Sequence, residues 1–245
     1  MTALLSEDSP NRINLDKHSS FTDRTHLSAY AFIVEAGTPL GNAVLRGEAA
    51  EMEGDAEAEL YELLVERTAR AGLAGYETSN FARPGEECRH NLGYWLRRPY
   101  VALGPSAHGL FDGERFANHW SLERWAEALE RGLPPEAERE REDPTSRARE
   151  AMLLALRLGT GLRFADYPAR EADEIRARYG TAFAAALRTG RLEAASEGAV
   201  RIPPGYRFVA DDVITWIESR AEAGPPGGSA PRFDRPARAV APARG

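Results

Sequence analysis

Apolar residues first gather in HLSAYAFIVEAGTPLG, where the run from Leu27 to Val34 is nearly continuous and is closed by Gly37 and Pro39. A run of that length without polar alternation predicts a strand buried on both faces. The period then changes in DAEAELYELLVERTARAG, where Ala56, Leu60, Leu63 and Leu64 recur at helical spacing. Asp55 is placed to cap this helix and Gly72 to close it. GLAGYETSNFARPG reads as a short strand running into a loop, and YVALGPSAHGLF, residues 100–111, as a third apolar strand. SLERWAEALERG follows as a compact helix, with Ser121 as cap, Leu122, Trp125, Ala126 and Leu129 as buried stripe, and Gly132 at its end. This order of elements predicts part of a parallel α/β layer.

PPEAERERED has little apolar content and reads as a surface connector over 134–143. After Asp143-Pro144 the pattern turns helical, with Ala148, Ala151, Met152, Ala155 and Leu158 on one face and Gly159 as the stop. A helix over about 168–178 and another over TAFAAALRTG are predicted next. RLEAA and AVRIP, separated by SEG, read as a small hairpin, and FVADDVITWIE as the last helix. The expected organisation is a loose leader (1–24), a partial α/β barrel segment (25–133), a linker (134–143), a winged-helix-like module (144–220) and a tail (221–245). The tail is rich in Ala, Gly, Pro and Arg and is compositionally disordered.

Composition changes this picture little. The chain has 245 residues, 42% of them hydrophobic and 28% charged, which suits globular protein with a core of useful size. A formal net charge of -7 argues against a nucleic-acid partner, which requires a basic surface. A single cysteine excludes an internal disulfide framework and is consistent with a cytoplasmic protein. No apolar run approaches the roughly 18 residues a membrane span requires.

In parallel α/β folds, ligands sit at the carboxyl ends of strands. Glu35 ends the first predicted strand, Asn80 the second, and His108 the third, so the three are candidates for cofactor contacts. Between the last two lies YETSNFARPGEECRHNLGYW, read as a loop, which carries Cys88, Arg89, His90, Asn91, Tyr94 and Trp95. Zinc on Cys88, His90 and His108 lacks a fourth ligand and a recognised spacing. A Cys88–His90 nucleophile pair is equally disfavoured, because neighbours two apart on an extended loop point oppositely. Haem suits the residue types better. Its iron takes an imidazole or a thiolate, its ring packs on aromatics, and Arg89, Arg97 and Arg98 offer cations for its propionates. A packed surface loop whose imidazole bonds a backbone carbonyl is the plainer alternative and stays open at this point.

The blocks HLSAYAFIVEAGTPLG, YETSNFARPGEECRHNLGYW and YVALGPSAHGLF resemble three consecutive blocks of the radical-SAM coproporphyrinogen-III-oxidase-like family. His90-Asn91-Leu92-Gly93-Tyr94-Trp95 matches the HNxxYW pattern of its haem-chaperone branch. The resemblance runs from about His26 to Glu218. It implies the C-terminal part of a radical-SAM barrel followed by the family's helical domain, with His90 as haem ligand and Cys88 as second choice. Asn91, Tyr94 and Trp95 would then orient the imidazole and line the porphyrin.

Two departures qualify this. The family's CxxxCxxC motif, which binds a [4Fe-4S] cluster and with it S-adenosylmethionine, has no counterpart here, since one cysteine cannot replace three. GPSAHG also stands where GPGAHS is usual, which puts Ser106 at a glycine position.

The expectation is therefore a truncated haem-chaperone-like protein that binds haem or porphyrin without an iron–sulfur centre and has no catalytic residue of its own. Its partners would be a haem-accepting protein or a separate cluster-bearing half. The alternative is a fragment of an oxygen-independent coproporphyrinogen oxidase-like enzyme that needs such a half. A DNA-binding role for the last helical module is disfavoured by the acidic Asp211, Asp212 and Glu218.

Overall fold

The computed structural model describes residues 24–31 and 33–222, apart from the side chain of Glu197. The expected leader and tail thus lie almost wholly outside the described residues. The chain divides into two compact units, one of residues 24–75 with 79–87, the other of residues 76–78 with 88–222.

In the first unit, β1 (His26–Ser28), β2 (Ala74–Gly75) and β3 (Asn80–Ala82) form a sheet of order β1-β3-β2, with both pairings antiparallel. β3 is central and all three of its residues are buried. Helix α1 (Pro39–Leu45) is capped by the Thr38 hydroxyl, which accepts from the Gly41 amide. Helix α2 (Gly54–Arg70) matches the predicted helix, and Gly72 closes it at φ +77°. Its N-cap is Glu53, without a side-chain cap bond, rather than Asp55. The buried Thr68 hydroxyl near its end donates to the Leu64 carbonyl at 2.9 Å, so burial leaves that group satisfied.

The first predicted strand is corrected. Among the described residues of that run only Leu27 and Ser28 are strand, and Tyr30 and Ile33 are 73% and 77% exposed. β1 is an edge with one paired neighbour, β3. An apolar run is buried on both faces only where other elements cover both faces, and continuous hydrophobicity does not supply them.

The second unit holds helix α3 (Arg89–Trp95), then an antiparallel meander of β4 (His108–Phe111), β5 (Glu114–Asn118) and β6 (Glu136–Arg141). Helix α4 (Leu122–Glu130) lies between β5 and β6 in sequence, and Ser121 caps it as predicted. Two of its four expected core residues, Leu122 and Leu129, are exposed. Among the described residues every strand pairing is antiparallel, against the expected parallel layer.

The stretch 134–143, expected as a connector, supplies β6. EAERER lacks an apolar pattern because β6 is an exposed edge strand held by ladder hydrogen bonds and cross-strand ion pairs. Arg139 and Arg141 both reach Glu114, at 2.6 and 2.8 Å, and Arg139 also lies over the Phe116 ring. Charged side chains on an edge also discourage pairing with other chains.

The core of this unit is built by α5 (Pro144–Ala155), α6 (Ala169–Arg188) and α7 (Ala210–Glu222). Asp143 caps α5 by accepting from the Thr145 and Ser146 amides, and Ala148, Ala151, Met152 and Ala155 are all buried as the spacing predicted. The two helices expected over about 168–178 and 181–190 are one continuous α6, with Gly180 inside it. A glycine within a helix costs only about 1 kcal/mol, which the buried Tyr179, Ala182 and Phe183 around it offset. The hairpin of β7 (Glu193–Ala194) and β8 (Val200–Arg201) forms as predicted and is tied to Leu162 through Val200.

Candidate functional site

The HNLGYW segment is helix, not loop: α3 begins at Arg89 with Cys88 at its N-cap. Helical spacing sorts the motif into two faces, because residues four apart are neighbours on one side. His90 and Tyr94 share one face. The Tyr94 hydroxyl lies 3.0 Å from His90 Nε2, and the rings meet edge to face at 4.8 Å. Asn91 and Trp95 share the other face. The Asn91 amide donates to the Tyr76 hydroxyl at 3.1 Å, while the buried Trp95 Nε1 finds no acceptor among the described residues. Burial, outweighing that hydrogen bond, raises the Tyr76 pKa and keeps it a neutral phenol.

Tyr94 also packs edge to face on Tyr100 at 4.7 Å. Tyr100 is paired with Leu110 of β4 through two backbone hydrogen bonds of 2.8 and 2.9 Å. The third predicted strand is therefore interrupted: residue 100 pairs, 101–107 form a loop, and β4 resumes at His108. Asn118, buried, holds that loop by donating to the Gly104 carbonyl at 2.8 Å. The Ser106 amide donates to the His119 carbonyl at 3.0 Å. Ser106 itself sits at φ +60°, the left-handed region where the family's glycine would be unstrained. Gly109 has no room for a side chain, since a Cβ there would lie 2.3 Å from the Phe116 ring.

Together these elements enclose an open cleft of ≈ 440 Å³ lined by His90, Tyr94, Tyr100, Val101, Leu103, Ala107 and His108. Ligand pockets commonly span about 300–1,000 Å³ and are mostly apolar with a few convergent polar groups. Of the candidates from the sequence, His90, Tyr94 and His108 line this cleft. Asn91 and Trp95 do not, and Cys88 is exposed at the helix start. Glu35 and Asn80 belong to the first unit. Glu35 is exposed and its backbone carbonyl accepts from the Thr38 hydroxyl at 2.7 Å, whereas Asn80 is buried and accepts from the Ser28 hydroxyl. Tyr100 and the aliphatic 101–107 loop were missed as lining. The adjacent apolar residues of YVAL have the local signature of strand core, and only the glycine at Gly104 signals the loop.

Arg97, expected to offer its charge to a ligand, is committed elsewhere. Its side chain is only 7% exposed and donates to Glu150 at 2.7 Å, to Glu171 at 3.0 Å and to Glu142. Arg115 joins the cluster through Glu142 at 2.8 Å and through Glu150, and Arg147 reaches Glu171 at 3.1 Å. Burial opposes the Arg97 charge, but these carboxylates outweigh it and raise its pKa. The cluster pins the end of α3 to β5, α5 and α6, which fixes the helix that carries His90. Arg89 and Arg98 stay exposed.

The chain's single cysteine does not fit a [4Fe-4S] cluster, which takes cysteine thiolates from several positions. A porphyrin is a better fit to the donor set. The cleft combines imidazoles, which ligate iron, with tyrosine rings and aliphatic side chains that pack on a flat apolar macrocycle.

No family model matches the chain. Sequence and fold likeness are nonetheless clear. The fold resembles that of coproporphyrinogen III oxidase, HemN, from Escherichia coli, described as a radical SAM enzyme. The TM-score is 0.55 at 13% identity, covering 80% of this chain and 48% of that one. Over the stretch it spans, the chain is similar to proteins of the coproporphyrinogen-oxidase-like radical-SAM family. In sequence it is similar to the heme chaperone HemW of Mycobacterium tuberculosis, 42% identical over 152 residues, which are 62% of this chain and 39% of that protein. HemW of Bacillus subtilis is 34% identical over 159 residues, or 62% of this chain and 41% of that protein. The chain thus spans about two fifths of the length of these curated relatives.

Proposed function

We propose that this chain binds haem or a closely related porphyrin in the cleft beside α3, with His90 as an iron ligand. The observation that carries the reading is the placement of the motif histidine on a fixed helix, opening onto a cleft walled by Tyr94, Tyr100, Val101 and Leu103. An imidazole supplies an iron donor, and the tyrosine and aliphatic surfaces give the macrocycle the apolar contact that drives it from water. Exposed Arg89 and Arg98 remain as cations for the propionates. Relatives named heme chaperones support a role in holding haem for transfer to an acceptor protein.

Asn91 and Trp95 act in this reading from the flank of the helix, about 100° round from His90 and Tyr94. They fix its rotation through Tyr76 and through packing, and so aim His90 without touching the porphyrin. Cys88 is the second-choice donor, and its exposure makes it accessible. Haemin titration of the full chain, followed in the Soret region, tests the assignment. His90→Ala is expected to weaken binding and change the spectrum of what remains bound. A variant that binds haemin with the parent's affinity and spectrum refutes it.

A further inference from the structure

His90 is not the cleft's only imidazole. His108 comes from β4, eighteen positions along the chain, and lines the same cleft. Strand geometry explains the convergence. Tyr100 and Leu110 are directly opposed, and opposed residues project to one face of a sheet. Residues two apart on a strand share a face, so His108 projects with Leu110 and hence with Tyr100. Tyr100 in turn packs on Tyr94, and Tyr94 on His90. A ladder of three rings thus leads from the strand face that carries His108 to the helix face that carries His90. Both imidazoles are exposed, and His108 stands at the first residue of its strand, where pairing with Ala117 fixes its backbone.

Among the described residues that line the cleft, none besides the two imidazoles is a charged type. The other lining side chains are two tyrosines, Val101, Leu103 and Ala107. The ion cluster around Arg97 consumes its own carboxylates, so none of Glu142, Glu150 and Glu171 is left to pair with an imidazole here. Two imidazoles lining one apolar, aromatic cleft would supply an iron porphyrin with two nitrogen donors.

We infer that His108 is a second iron-ligating residue, so that the cleft would select ferric haem over metal-free porphyrin by offering its iron both His90 and His108. This rests on the haem-binding reading of the same cleft. It goes beyond that reading by assigning a ligand outside the HNxxYW motif and a preference for the metallated ring. Coordination by two neutral imidazoles transfers no electron and breaks no bond in the protein.

The test is titration of the full chain with haemin and, separately, with metal-free protoporphyrin IX, read by absorption and electron paramagnetic resonance. The parent is expected to give a low-spin ferric spectrum with haemin and to bind the metal-free ring more weakly. His108→Ala is expected to retain haemin through His90 but turn high-spin, and added imidazole is expected to return the low-spin spectrum. His108→Gln, which keeps a polar side chain at the strand end, is expected to lose the low-spin signal as well. A His108→Ala protein that keeps the parent's low-spin spectrum overturns the inference, as does a parent already high-spin. If that high-spin haemin is still lost in His90→Ala, single-ligand binding at His90 stands and only the second ligand falls. Haemin binding that is absent, or indifferent to both substitutions, overturns both readings.

Discussion

The Tyr94 hydroxyl occupies the hydrogen-bonding position of His90 Nε2, at 3.0 Å. If Nε2 is the atom offered to iron, that hydrogen bond is lost on binding, and Tyr94→Phe removes the loss in advance. A net hydrogen bond contributes about 0.5–1.5 kcal/mol, and partial exposure places this one toward the lower end. Tyr94 is 41% exposed, so about 0.5–1 kcal/mol applies, equivalent to about 2–5-fold in affinity. Phenylalanine keeps the edge-to-face packing on Tyr100 at 4.7 Å, so the ring ladder and the cleft wall are retained. Haemin titrations of parent and Tyr94→Phe, with stopped-flow association rates, should therefore show tighter and faster binding in the variant. The opposite result would refute the reasoning. If Nδ1 coordinates while Nε2 stays bonded to the tyrosine, the hydroxyl orients the ligand, and its removal weakens binding.

Three further outcomes follow from the second unit. Arg97→Met leaves Glu142 and Glu171, both largely buried, without their main partner, and should cost about 3–5 kcal/mol in chemical denaturation. A change below about 1 kcal/mol would show that the cluster does not anchor α3. Ser106→Gly relieves a side chain held at φ +60° and should stabilise by about 0.5–1 kcal/mol, whereas a loss of stability would mean the serine contributes contacts worth more than the strain. For Glu150, burial pushes the pKa up, but hydrogen bonds from Arg115 and Arg97 outweigh it and leave the pKa depressed. A depressed carboxylate contributes stability fully present above its unfolded value of about 4.3 and lost as pH falls through the lower folded value. Glu150→Gln should therefore lower the melting temperature at neutral pH and flatten its fall in acid, and acid limbs that run parallel in the two proteins would contradict the linkage.

The candidate site was only partly legible in the sequence. His90, Tyr94 and His108 were marked by residue type, and all three line the cleft. Asn91 and Trp95 were grouped with them because a loop imposes no sidedness. Once 89–95 is a helix, four-residue spacing turns those two away. Arg97 read as a free cation because nothing in its neighbourhood along the chain shows the glutamates at 142, 150 and 171 that surround it.

Local chemistry determined a good deal by itself. Caps at Ser121 and Asp143, the buried face of α5, the β7–β8 hairpin and the last helix all follow from short-range hydrogen bonding and 3.6- or 2-residue periodicity. These interactions are complete within a few residues, so the sequence contains all their terms. What the tertiary structure alone decided is what lies beside each segment. It left only Leu27 and Ser28 of the described residues of that apolar run in a short edge strand, with Tyr30 and Ile33 exposed, and turned the charged EAERER into a paired strand. It also brought His108 to the cleft of His90 through Tyr100 and Tyr94. Burial and convergence depend on neighbours distant along the chain, and a hydrophobic run or a lone imidazole has the same local signature whether those neighbours are present or not.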